Sequence, residues 1–248
     1  PVDRSIWSDY YDNGCTIRLL CPHKHEDTVY SLLSSLETEF GCMVGANAYL
    51  TPPDGSQGFA PHFDDIDAFC LQLEGKKRWK VYAPLTKQNR LPRASSEDYV
   101  AKDLDGLRPV LDVVLEPGDV LYFPRGWVHQ ACTLPKADDR KERQHSLHLT
   151  ISTMQQWAWV DLMEIVIPEA IQELATGEST VMRQGLPLKF LDYMGTMHDS
   201  SDDNIPESLK SKENESVDPV AEEKRILKEQ FCAEAKRRIA LVAKDAMD

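Results

Sequence analysis

A histidine and an aspartate one residue apart, His62 and Asp64, lie within QGFAPHFDDIDAFCLQLEGKKRWKVY (residues 57–82), which otherwise reads as core β-structure. On an extended chain, residues i and i+2 project to one face, so the imidazole and the carboxylate converge. Burying both without a cation between them is costly, and a metal ion fits. An isolated His-x-Asp is more often a buried hydrogen-bonded pair than a metal site, but three further features favour the metal. EPGDVLYFPRGWVHQA (116–131) reads as a turn, a strand and a Pro-Arg-Gly bend that delivers His129 as a well-held third ligand. Two histidines and one carboxylate form the facial triad of non-haem Fe(II) oxygenases, which leaves coordination positions open for substrates. Lys77 re-enters on the strand after Gly75 and can aim inward at an anion, where it would pair with a carboxylate. Its neighbours Lys76, Arg78 and Lys80 are expected to be solvated. Finally, HSLHLTIST (145–153) alternates an apolar face (Leu147, Leu149, Ile151) with a polar one (Ser146, His148, Thr150, Ser152). That polar face either lines a pocket or is the wet side of an edge strand. His23, His25 and His198 fall in loop or linker sequence and are taken as surface residues.

The elements that must position these groups are legible in outline. Within residues 25–41, Val29, Leu32, Leu33, Leu36 and Phe40 recur at helical spacing and Gly41 follows as a stop, giving an amphipathic helix laid on a core. From about residue 43 to 153, short alternating runs are broken by TPPDGSQG, LEGKK, LEPGD and FPRG, the pattern of a β-sandwich or barrel. Trp157, Val160, Met163, Ile167, Ile171 and Leu174 then mark a second helix, which Pro168 should kink or divide. Residues 198–219 are acidic and Ser-rich, and read as a flexible linker. The last segment places Ile226, Leu227, Phe231, Ala235, Ile239 and Val242 in helical register, a stripe that wants another surface to cover it.

With 28 Lys and Arg against 41 Asp and Glu, the chain carries a formal charge of −13. That gives no general grip on nucleic acid or an anionic membrane and suits a basic protein or peptide partner. The six cysteines are scattered without a C-x-x-C pair and are read as free thiols of a reducing compartment. Neither a membrane-length apolar run nor a signal peptide is visible. Because the chain starts at Pro1 rather than Met, an upstream region is expected. KADDRKER (136–143) is too acidic for a convincing nuclear signal.

Together GANAYLTPPDGSQGFAPHFDD, LQLEGKKRWKVY, EPGDVLYFPRGWVHQA and HSLHLTIST resemble the ribosomal oxygenases of the Jumonji C (JmjC) class, in the subfamily of histidyl hydroxylases that are also known as histone lysine demethylases. RQGLPLKFLDYMG (183–195) is similar to that subfamily's helical dimerisation region. The resemblance implies a mainly β fold with α: a double-stranded β-helix (jelly roll, cupin-like) over residues 1–156, then a helical dimerisation region over 157–248, with a winged-helix domain mostly or wholly absent from this chain. It implies His62, Asp64 and His129 as ligands of Fe(II), Lys77 as the anchor of 2-oxoglutarate, and Asn47, His148 and Thr150 beside that cosubstrate. Arg18, Tyr49 and Ser152 would line the peptide site. Phe63 stands where the family often has Tyr and should face away from the metal, while the charged loop 131–144 looks long for the subfamily. The implied reaction consumes O2 and 2-oxoglutarate and hydroxylates a histidine of a ribosomal protein. The alternative is demethylation of an N-methyl-lysine of histone H3 at the same centre. A homodimer in the nucleus and nucleolus is implied by the family. From other classes, a non-catalytic binding module and a metal-dependent isomerase on a similar barrel are less favoured, since neither explains the full His62, Asp64, His129 and Lys77 set.

Overall fold

The computed structural model describes residues 4–135, 144–178, 180–194 and 219–247. Residues 198–218 of the expected linker and residues 136–143 of the charged loop lie outside these, as does His198; Pro219 already belongs to a helix. The chain divides into two units at Ala158/Trp159, two residues after the composition shift.

In the first unit, helix α1 (Arg4–Asn13) precedes strand β1 (Ile17–Leu20) and helix α2 (Asp27–Phe40). The strands that follow are β2 (Gly45–Thr51), β3 (Asp67–Glu74), β4 (Lys77–Tyr82), β5 (Leu111–Leu115), β6 (Val120–Phe123), β7 (Val128–Thr133) and β8 (Ser146–Thr153). They form a five-stranded sheet ordered β1-β2-β8-β3-β6 and a three-stranded sheet ordered β5-β4-β7. Every pairing is antiparallel. The sheets share one core: Ala68, Cys70, Leu121 and Phe123 from the larger meet Trp79, Val81 and Leu115 from the smaller. Two antiparallel sheets with side chains interdigitated between them make a jelly roll.

The larger sheet is covered on its other face as well. Helix α2 begins at Glu26, whose side chain accepts the Thr28 N–H at 3.3 Å, and ends at Gly41, whose φ of 66° makes the left-handed cap the sequence signalled. Its apolar stripe sets Leu33, Val29, Leu36 and Phe40 on Val44, Ala46, Leu149 and Ile151. Each Leu or Ile so buried contributes about 1.5–3 kcal/mol. This resolves the β8 ambiguity. Its apolar residues face outward under a helix and its polar residues face inward between the sheets, the reverse of an ordinary sandwich strand. An inward polar face in the middle of a fold marks a site rather than a core.

In the second unit, helix α3 (Trp159–Thr176) runs as one element through Pro168, so of the expected kink or division the division does not occur. Helix α4 spans Pro219–Asp245. Phe231 stacks on Phe190 (ring centroids 5.8 Å, 13° between planes) and meets Tyr193 edge-on. Arg238 donates to the Val181 carbonyl and to Gln184. Val242 is buried, but Ile226, Leu227 and Ile239 of the same helix stay exposed. The stripe is therefore only partly covered within the unit.

Candidate metal centre

His62 lies outside the regular strands. Residues 61–65 form no regular strand; His62 joins β7 through an isolated bridge in which His62 and His129 exchange both backbone hydrogen bonds, N–H to O at 3.2 and 2.8 Å. Directly opposed residues of an antiparallel bridge project to the same face, which brings two imidazoles 67 positions apart in sequence to ring centroids 4.6 Å apart. Asp64, two residues on, joins them on that face as the i, i+2 spacing predicts. The bend before β7 is tied to the same segment: Gly126, at φ 80°, donates its N–H to the Asp64 carbonyl at 2.9 Å. A β-carbon there would come within 2.1 Å of the Asn89 carbonyl oxygen, so only glycine fits.

His62 Nε2 lies 3.8 Å from Asp64 Oδ1, and His129 Nε2 lies 3.6 Å from Asp64 Oδ2. These separations exceed hydrogen-bond length, so the groups surround a point instead of bonding to one another. The three ligand atoms lie within 4.8 Å of one another, the one such group among the described residues. Both rings are oriented from behind: His62 Nδ1 is 2.7 Å from the Ala60 carbonyl oxygen and His129 Nδ1 is 3.1 Å from that of Trp127. A carbonyl can only accept, which assigns the proton to Nδ1 and leaves each Nε2 lone pair directed at the shared point. Burial pushes the His129 imidazole down to about 4, opposed by the Asp64 carboxylate, so it is neutral and able to ligate across the physiological range. By donor type, tautomer and convergence, the three side chains fit a divalent transition metal.

They open on a cavity of about 140 Å³ that Arg18, Tyr49, Phe59, Cys70, Lys77, Trp79, Phe123, Gln130, His148 and Thr150 also line. Lys77 is 4% exposed; its Nζ donates to Thr51 Oγ1 at 2.8 Å and sits 5.8 Å from the Trp79 ring. Burial pulls its ammonium down to about 8. Among the described residues its contacts are neutral, while Arg78 on the opposite face of β4 makes a two-pronged pair with Asp112 at 2.6 and 2.7 Å and Lys76 pairs with Glu116. A buried ammonium facing a cavity without a carboxylate beside it is costly unless an anion arrives. His148 stacks on Tyr49 (4.9 Å, 8°) and takes Trp79 edge-on. Burial, reinforced by the Lys77 charge, holds its pKa well below the ordinary value, so it is neutral. Burial raises the Tyr49 phenol, partly offset by Arg18. Cys70, pushed up to about 12 by burial and bonded to Thr150 Oγ1 at 3.6 Å, is an inert thiol wall.

Of the ten residues singled out in the sequence, His62, Asp64, His129, Lys77, His148, Thr150, Arg18 and Tyr49 line this one cavity. Asn47 and Ser152 do not. They share the inward parity of Tyr49 on β2 and of Thr150 on β8, with cross-strand partners Thr150 and Gly45. Phe63 turns away from the ligands, buried with Tyr82, Leu104 and Val128, as expected. The sequence reading missed Thr51 and Trp79, although each lies two residues from a residue it did find, Tyr49 and Lys77. It also missed Phe59 and Gln130, which carry no spacing signal.

Residues 18–162 match the family description "JmjC domain". The chain belongs to the JmjC-domain family. This JmjC chain is 50% identical over 207 residues to Ribosomal oxygenase 1 of Gallus gallus, covering 82% of this chain and 32% of that protein. It is 43% identical over 221 residues to the bifunctional lysine-specific demethylase and histidyl-hydroxylase NO66 of Aedes aegypti, covering 89% of this chain and 33% of that one. The chain thus spans about a third of the length of these curated relatives. Among solved structures it is similar to ycfD of E. coli at 18% identity and a TM-score of 0.48, covering 87% of this chain and 48% of that chain. The JmjC jelly roll expected from the sequence is the fold found.

Proposed function

We propose that the chain is an Fe(II)- and 2-oxoglutarate-dependent oxygenase that hydroxylates a histidine of a ribosomal protein. One observation carries the reading: a His-Asp-His constellation and a buried ammonium with no carboxylate beside it among the described residues open on the same cavity. A metal-only site, such as that of an isomerase or a binding module, has no use for the second. Bound Fe(II) supplies the O2 chemistry by which a C–H bond is oxidised while 2-oxoglutarate is cleaved to succinate and CO2.

The chain's own residues bind and orient. His62, Asp64 and His129 hold the ion, their tautomers fixed by backbone carbonyls. Lys77 neutralises a carboxylate of the cosubstrate, and Thr51, already bonded to its Nζ, aims it. The rings of Trp79, Phe123 and Tyr49 exclude water, which strengthens each of these charge interactions. His148 is kept neutral, so it adds a polar contact without a second cation. Asn47 and Thr150 flank the cosubstrate, with Asn47 acting from outside the cavity lining. Arg18, over the Phe59 ring at 5.8 Å, together with Tyr49 and Ser152, meets the substrate peptide.

The name of the Gallus gallus relative supports the ribosomal target, and that of the Aedes aegypti relative supports both histidyl hydroxylation and lysine demethylation. A net charge of −13 suits a basic ribosomal peptide or histone tail and disfavours direct contact with nucleic acid. Work in the nucleus and nucleolus is part of the same proposal and is supported by the family resemblance alone. The second unit, with exposed Trp159, Leu162, Ile165 and Ile239, is assigned to homodimerisation.

The test is mass spectrometry after incubating the full chain with Fe(II), 2-oxoglutarate and either a histidine-containing ribosomal-protein peptide or a methylated histone H3 peptide. The expected result is a gain of one oxygen on the first. Loss of a methyl from the histone peptide alone would move the assignment to the demethylase. Failure to form succinate with either would refute the enzymatic reading.

A further inference from the structure

The polar segment SSEDY (95–99) is hydrogen-bonded to the ligand-bearing segment 61–65 through Ser95, Ser96 and Tyr99. The Ser96 N–H donates to the Phe63 carbonyl at 2.9 Å, the Phe63 N–H to Ser96 Oγ at 2.9 Å, and the Tyr99 N–H to the Pro61 carbonyl at 2.8 Å. Ser95 reaches further. Its Oγ accepts the Asp65 N–H at 3.3 Å and lies 3.3 Å from Asp64 Oδ1 and 2.8 Å from Asp65 Oδ1. Two consecutive serines therefore bracket Asp64, one holding the amide before it and the other the amide after it. The Ser95 hydroxyl also touches the ligand carboxylate itself.

We infer that Ser95 is a positioning residue of the metal centre, its hydroxyl shared between Asp64 and Asp65 so that the ligand carboxylate is held facing both imidazoles. The inference rests on the metal reading of His62, Asp64 and His129 and adds a group that neither the His-x-Asp spacing nor the family resemblance supplied. Adjacent carboxylates repel. Here Asp65 is held apart by its own partners, Ser95 on Oδ1 and Gln155 on Oδ2 at 3.2 Å, and one hydroxyl proton lies between the two acids. Asp64 keeps its other oxygen for His129. Its main-chain carbonyl is fixed by Gly126, so among the described residues Ser95 is the hydrogen-bond partner that acts on the side chain. Removing such a partner of a ligating carboxylate typically weakens metal binding ten- to a hundred-fold.

The experiment measures Mn(II) binding to the full chain by calorimetry, with the d–d spectrum of the Co(II)-loaded protein as a second readout, in wild type, Ser95→Ala, Ser95→Thr and Ser96→Ala. Ser95→Ala should weaken Mn(II) about ten-fold or more and shift the Co(II) bands. Ser95→Thr, which keeps the hydroxyl on an exposed residue, should restore both, and Ser96→Ala should lower thermal stability with a smaller effect on affinity. Equal affinity in wild type and Ser95→Ala overturns the inference. So does equal loss in Ser95→Ala and Ser95→Thr, because the effect then belongs to packing of the segment and not to the hydroxyl. A wild type that binds no Mn(II) overturns this inference and the metal reading together. Mn(II) binding that depends on Ser95 in a chain that oxidises no peptide upholds this inference and refutes the proposed reaction.

Discussion

Lys77 is where the proposed function and stability pull in opposite directions. Its burial lowers the ammonium from 10.5 to about 8. Below about pH 8 the lysine is protonated in both folded and unfolded chains, and the whole cost of burying the charge is present. Between about 8 and 10.5 the unfolded lysine keeps a proton the folded one has lost, so stability rises with pH through that window. Lys77→Met, which keeps the stem and removes the charge, should therefore stabilise the metal-free chain at pH 7, by at most on the order of 3 kcal/mol, and the gain should vanish once the pH passes above 10.5. Urea unfolding at the two pH values measures this. The same variant should bind 2-oxoglutarate about 10- to 100-fold more weakly, the worth of a charge-assisted hydrogen bond. A variant that is neither stabilised nor impaired would show that Lys77 does not face an anion. At this scale the sequence was informative where chemistry is local. The His62–Asp64 pair is two residues long and legible from backbone parity alone. Thr51 and Ser95 act through hydrogen bonds to groups 26 and 31 positions away, and no periodicity records a contact of that kind.

Elements were legible wherever one face is buried. Helix α2 announced itself through Leu33 and Leu36 and its Gly41 stop, and β8 through strict alternation, although which of its faces pointed inward depended on α2 lying over the sheet. The segments 61–65 and 95–99 escaped notice as a pair because they are joined by hydrogen bonds between polar loops, which leave no apolar pattern. At Pro168 the pattern allows a kink or a division, and the turns on both sides of the proline belong to one element, α3, so the helix is not divided. The element that most directly sets the centre's geometry is the bend before β7. Gly126→Ala puts a β-carbon where the Asn89 carbonyl oxygen stands and a side chain at φ 80°, so it should cost about 2–4 kcal/mol. Because the Gly126 N–H also holds the Asp64 carbonyl, Mn(II) affinity should fall together with the melting temperature. Thermal unfolding and metal titration of one sample test the linkage; a fall in stability with affinity intact would separate the bend from the ligand.

For the whole molecule, the sequence signalled two kinds of surface, and they call for different partners. The acidic surplus is a long-range property: it draws a basic peptide toward the chain without specifying its pose. Raising salt from about 50 to about 300 mM shortens the screening length from about 14 to about 6 Å. It should therefore raise KM for a basic ribosomal peptide several-fold while leaving kcat nearly unchanged, since the buried Lys77 contact is little screened. The helical unit signals a short-range partner. In α3, Trp159 is 78% and Ile165 63% exposed, and in α4 Ile239 is 66% exposed, so large apolar groups of both helices are left uncovered. On the proposed assignment of this unit to homodimerisation, a second copy of the chain covers these groups. Sedimentation velocity across micromolar concentrations should show a dimer, and Ile165→Asp should weaken it roughly 30- to 1,000-fold, the range of a central apolar contact. Since Ile165 is exposed in the single chain, that variant should keep its helical circular dichroism and its affinity for Mn(II). A monomeric wild type would assign these helices to some other surface, and a variant that dimerises as well as wild type would place the interface elsewhere on the chain.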